Sequence, residues 1–76
     1  MLAEKQLANQ LAVLRAARKW SQKEVADKVG VSRQTINSIE ANRYNPSLIL
    51  AFKLAELFGT DINEIFRYVE AEGGGK

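Results

Sequence analysis

The chain has 76 residues, room for one small domain, and its 46% hydrophobic and 26% charged residues are the balance of a soluble globular protein. It contains no cysteine and no histidine, which excludes disulfides, thiolate metal sites and the commonest general base. The formal net charge is +2, but residues 1–43 carry eight basic and four acidic side chains, while residues 44–76 carry three basic and five acidic. Charge alone favours an ordinary solvated surface, although the asymmetry also suits a polyanion on one side of the molecule. With no Gly-rich phosphate loop and only scattered carboxylates, no catalytic constellation can be assembled, and no metal or cofactor is expected. Nothing resembles a signal peptide, and the apolar run at 48–54 is too short, and broken by Lys53, to span a bilayer. The expected location is cytoplasmic, with no membrane partner.

In chain order, the spacing predicts a first helix over 4–18, where Leu7, Leu11 and Leu14 recur at i, i+4 and i+7 with Ala8 and Ala17 beside them. Met1–Ala3 are expected to fray. Trp20 precedes the cap of the next helix and reads as a core anchor that staples its first turn. The second helix, 22–29, starts with Ser21 and Glu24 as a capping box, lines up Val25, Ala26 and Val29 on one face, and ends at Gly30. The third, 33–41, is capped by Ser32 and buries Ile36 and Ile39, so that Arg33, Gln34, Asn37 and Ser38 face outward. Such compact or long hydrogen-bonding side chains are the kind that read base edges in a major groove.

Asn42 fits a left-handed position after the third helix, and Pro46 excludes further helix before Ser47 caps a fourth over 47–58. That fourth helix has only Lys53 and Glu56 as charged positions, so it must be covered on most sides, and one monomer of this size covers only part of it. Ile49 and Phe52 are therefore expected at a subunit contact. Gly59 closes this helix, and Asp61 with Glu64 forms a capping pattern for a fifth over 62–70. There Ile62 and Phe66 are expected to close the core, leaving Ile65, Tyr68 and Val69 free for a partner. Residues 71–76, with three consecutive glycines, read as a flexible tail beyond a single domain over 1–70. The fold class expected is all-α: a compact five-helix domain with a helix-turn-helix at its second and third helices.

The runs Ser21-Gln22-Lys23-Glu24-Val25-Ala26, Gly30-Val31-Ser32-Arg33-Gln34-Thr35-Ile36, Ile39-Glu40 and Asn45-Pro46-Ser47-Leu48 closely resemble the phage-repressor/Cro family of helix-turn-helix regulators, including xenobiotic-response-element-type proteins. The likeness covers roughly residues 7–66 and matches caps, turn, core and following loop together. The resemblance implies an ion pair between Arg15 and Glu40 that sets the angle of the recognition helix. It also implies that Arg43 and Asn45 lie near the phosphate backbone, and that the outcome is repression by occluding a promoter. Related sequences usually carry a smaller aliphatic residue where Trp20 stands and a polar one where Ile49 stands.

On this reading the third helix enters the major groove of double-stranded DNA. Arg33 is suited to guanine O6 and N7, Gln34 to adenine, and Thr35 to a phosphate or a thymine methyl. Asn37 and Ser38 form a second rank one turn on. Gln22 suits a phosphate at the start of the second helix, and Lys23 and Arg43 add backbone electrostatics. Adequate affinity needs two such domains, hence a homodimer on an inverted repeat with half-sites about 34 Å apart. A rival reading is a protein-docking module that uses Ile49, Phe52 and Tyr68. An antitoxin, which binds DNA and also grips a toxin, would combine the two.

Overall fold

The computed structural model describes residues 4–70, so the expected fraying of 1–3 and the glycine tail at 71–76 lie outside the described residues. The order of elements is β1 (Lys5–Asn9), α1 (Leu11–Ala17), α2 (Gln22–Val29), α3 (Arg33–Glu40), α4 (Leu48–Phe58), α5 (Ile62–Ile65) and β2 (Phe66–Glu70). The domain is thus five helices with a small two-stranded sheet, and the all-α expectation is corrected at both ends of the chain. β1 and β2 pair antiparallel, with Leu7 opposite Tyr68 and Asn9 opposite Phe66.

Both corrections have the same physical origin. The segment Phe66-Arg67-Tyr68-Val69 is rich in aromatic and β-branched residues that favour strand. Its apolar spacing from Ile62 also fits one face of a helix, and over so short a run periodicity does not separate the two. Once β2 is extended, it recruits Lys5–Asn9, whose own composition leans toward helix, because pairing outweighs intrinsic propensity. Lys5 Nζ lies 5.3 Å from the centre of the Tyr68 ring across the pair. The ladder hands over directly to α1: Gln10 N–H donates to the Ile65 carbonyl at 2.8 Å, and Leu14 N–H then bonds Gln10 O at 3.0 Å.

The core is one cluster built from Leu11, the apolar faces of α2 and α3, five residues of α4, and Ile65 with Phe66. Leu11, Val25, Ile36, Leu54 and Ile65 are wholly buried. Ile65 was expected to be free for a partner; it is 0% exposed and belongs to the core. The chain's turn from α5 into β2 directs it inward, whereas a continuous helix would have put it beside Val69. Phe66 closes the core as expected, and Ile62 packs partly against it. Trp20 is half-buried, its ring tilted against Phe58 with centroids 5.6 Å apart, and the cations of Arg18 and Lys28 lie 5.2 and 4.9 Å from it.

Four helices end alike, with an amide two or three residues past the helix reaching back to a carbonyl in its last turn: Trp20 to Arg15, Val31 to Ala26, Arg43 to Ser38 and Thr60 to Ala55. The left-handed residue in these turns is Lys19, Gly30, Asn42 or Gly59. Lys19, at φ 59°, is the one that pays for its Cβ there. Lys19→Gly is expected to stabilise the domain by about 0.5–1 kcal/mol in urea denaturation; an unchanged or lowered midpoint would contradict this account of the turn. At α5 the expected cap also differs. Asp61 makes no side-chain cap bond, and the Thr60 hydroxyl instead donates to the Glu64 carboxylate.

Candidate nucleic-acid interface

The helix-turn-helix is assembled by local chemistry. Ser21 Oγ accepts the Glu24 N–H at 3.0 Å while Glu24 Oε1 accepts the Ser21 N–H at 2.7 Å, a reciprocal capping box. Gly30 turns the chain at φ 80°, and Ser32 Oγ caps α3 by accepting the Thr35 N–H at 3.1 Å. With Ile36 and Ile39 buried against α2, the opposite side of α3 is committed to solvent. Arg33, Gln34 and Asn37 are exposed there, as expected, while Thr35 and Ser38 are half-buried. The Thr35 hydroxyl lies 3.0 Å from Ser32 Oγ. Ser32, Gln34, Thr35, Ser38, Arg43 and Tyr44 line a shallow groove along this side.

Beneath α3 runs a connected set of polar bonds. Arg15 grips Glu40 with two parallel contacts, Nε to Oε2 at 2.7 Å and a terminal nitrogen to Oε1 at 3.1 Å. Its remaining terminal nitrogen donates to the Trp20 carbonyl at 3.0 Å. Gln22 Nε2 donates to Glu40 Oε1 at 3.0 Å, and Gln22 Oε1 accepts from Asn37 Nδ2 at 3.4 Å. Arg43 reaches Asn37 Oδ1 at 3.5 Å. One network therefore joins α1, the start of α2, the middle and end of α3, and the loop beyond it. The guanidinium of Arg15 is held above its ordinary pKa, chiefly by the hydrogen bond to Glu40 and further by its charge, against the opposing effect of burial. Among the described residues no buried side-chain nitrogen or oxygen lacks a partner.

Gln22 is thus half-buried and already bonded on both sides, with its amide fixed beside the exposed face of α3. Lys23 sits further out on α2 and pairs with Asp27 at 2.9 Å, so its charge is partly compensated locally. Asn45 is exposed in the loop before Ser47. The structure brings Gln22, Arg33, Gln34, Thr35, Asn37, Ser38 and Arg43 to one side and leaves Lys23 engaged at its margin.

One residue of this region escaped the sequence reading. Asn9 was placed inside a continuous first helix, yet its side chain is the junction between β1, α1 and the end of α3. Asn9 Oδ1 accepts the Leu11 N–H at 3.0 Å, and Nδ2 lies 2.9 Å from both the Ile39 carbonyl and Asn42 Oδ1. The available signal was chemical: asparagine disfavours helix interiors and favours caps.

The remaining expected surface lies elsewhere. Leu48, Ile49 and Phe52 on α4 are 69%, 72% and 55% exposed, and Tyr68 on β2 is 67% exposed. Val69 is half-buried. Among the described residues no helix is long and apolar enough to cross a membrane.

Comparison with known proteins agrees with this geometry. The family HTH_3, described as helix-turn-helix, matches residues 11–65. An HTH-type transcriptional regulator of Methanocaldococcus jannaschii is 48% identical over 66 residues, spanning 87% of this chain and all of its own length. The antitoxin HipB of Escherichia coli K12 is 37% identical over 51 residues, 67% of this chain and 58% of HipB. Among solved structures, the restriction-modification controller protein C.AhdI of Aeromonas hydrophila superimposes with a TM-score of 0.66 at 31% identity, over 71% of this chain and 78% of its own. A helix-turn-helix capped at Ser21 and Ser32, with an exposed polar face on its second helix and these relatives, has one reading: the chain belongs to the Cro/C1-type helix-turn-helix family of transcriptional regulators.

Proposed function

We propose that the protein is a sequence-specific double-stranded DNA-binding regulator that acts as a homodimeric repressor on an inverted-repeat operator. The observation that carries this reading is the exposed face of α3, with Arg33, Gln34 and Asn37 presented side by side on a helix braced from below by Arg15, Glu40 and Gln22. Arg33 supplies a fork of donors for guanine O6 and N7, and Gln34 a donor and acceptor for adenine. Gln22, Thr35 and Ser38, with Arg43 and Asn45 from the loop, set register against phosphates; Lys23 contributes only long-range attraction. Selection of bound sequences from a random duplex pool at fixed salt tests the reading. Enrichment of an inverted repeat with half-sites one helical turn apart supports it; absence of any enriched sequence contradicts it.

The exposed apolar side of α4 supports a dimer contact there. A domain of this size gains from covering Ile49 and Phe52, and Tyr68 with Val69 extends the apolar surface on β2. Ile49→Lys is expected to convert a dimer to a monomer in sedimentation while shifting the monomer's own stability by no more than about 0.5 kcal/mol, since the side chain is 72% exposed. An unaltered dimer would remove Ile49 from the interface. The same exposed residues, together with the similarity to the antitoxin HipB, support a second reading in which a toxin-like protein occupies this face.

A further inference from the structure

We propose that Asn9 is a positioning residue for DNA recognition, acting through its side-chain bridge to Asn42 to fix the end of α3 and the loop that carries Arg43 and Asn45. The inference rests on the DNA-binding reading above. One side chain serves the open ends of two helices at once: its oxygen takes the Leu11 N–H at the start of α1, and its nitrogen lies 2.9 Å from the Ile39 carbonyl near the end of α3. The same nitrogen lies 2.9 Å from Asn42 Oδ1. Among the described residues, this bond is the only side-chain hydrogen bond linking residues 41–45 to a part of the fold other than α3.

What it holds is the turn that aims the loop. Asn42 adopts φ 60°, and the following residue, Arg43, returns its N–H to Ser38 O at 2.9 Å. Rotation of Asn42 about this turn would carry Arg43 and Asn45 away from the side of α3 on which Arg33 and Gln34 lie. The Arg15–Glu40 pair braces α3 from α1, and the Asn9–Asn42 bridge braces its exit from β1. Because Asn9 also pairs with Phe66 of β2, the sheet becomes part of the support for the DNA-facing loop. A loosened loop keeps the Arg43 charge, which still attracts any duplex, but no longer fixes register, so specific binding falls more than non-specific binding.

Asn42→Gly separates this role from stability. Glycine adopts the left-handed turn without a Cβ penalty, so the fold is kept or strengthened while the amide acceptor for Asn9 is removed. Asn9→Ser keeps an oxygen for the Leu11 N–H but has no amide to reach Asn42. Fluorescence anisotropy with the duplex enriched by selection, and with a random duplex of equal length, is the readout. Asn42→Gly is expected to weaken binding to the enriched duplex about three- to tenfold, with a smaller change on the random one and an undiminished urea midpoint. Asn9→Ser should lose at least as much, and adding Asn42→Gly to it should cost nothing further. Parental affinity in Asn42→Gly overturns the proposal, as do losses that multiply in the double variant, which would place Asn42 on the DNA directly. A parent chain that enriches no duplex overturns the underlying DNA reading instead.

Discussion

Arg15→Ala is expected to destabilise the domain by about 2–4 kcal/mol in urea denaturation, a large share of the roughly 4–11 kcal/mol that a chain of this length holds. The reason is what remains behind. Glu40 is only 9% exposed at its side chain, it closes α3 at the end where the helix dipole disfavours an anion, and without Arg15 only Gln22 would face it. The lower part of the range for a broken buried pair applies because Arg15 itself keeps 20% of its side-chain surface. Arg15→Lys should recover little, since an ammonium cannot reproduce both contacts to the carboxylate and the third to Trp20 O. The raised guanidinium pKa gives the sign of the arginine's own contribution: it is fully present at neutral pH and declines as strong alkali deprotonates the folded form. A loss below about 0.5 kcal/mol would mean that the pair behaves as two solvated charges.

Arg33→Ala is expected to cost about 1–3 kcal/mol of affinity for the enriched duplex and to relax preference at one base position of each half-site. Arg33 opens α3 on the exposed side and makes no side-chain bond among those of the described residues, so its truncation removes reach into the groove without disturbing the fold. Arg43→Ala is the informative contrast. It should weaken binding across all sequences alike and lower the salt dependence, the signature of a phosphate contact. If Arg33→Ala weakened every duplex equally, the helix would be docked in another register and the base-reading role would pass to Gln34 or Asn37.

The centre of the molecule was legible in the sequence because its signals are local. Serines at 21, 32 and 47 each cap the helix that follows, and Gly30, Asn42 and Gly59 take the left-handed positions their chemistry favours. The Arg15–Glu40 pair, separated by 25 residues, was implied by family resemblance and is present. The two ends were not legible, because a strand pair is a bargain between distant segments. Lys5–Asn9 has no strand preference of its own, and only the partner Phe66–Glu70 makes it one. Ile65 went astray for the same reason, since extending a helix through the α5–β2 boundary rotates it to the wrong side. Lys19 lay hidden because its left-handed turn carries none of the residues that usually advertise one.

Recognition through α3 is tested most directly by an amide NMR titration of the protein with its enriched duplex. The largest shifts are expected at Gln22, at residues 33–38 along α3, and at Arg43 and Asn45, with Ile49 and Phe52 on α4 changing little. Shifts concentrated on α4 and β2, with the face of α3 undisturbed, would contradict recognition through α3.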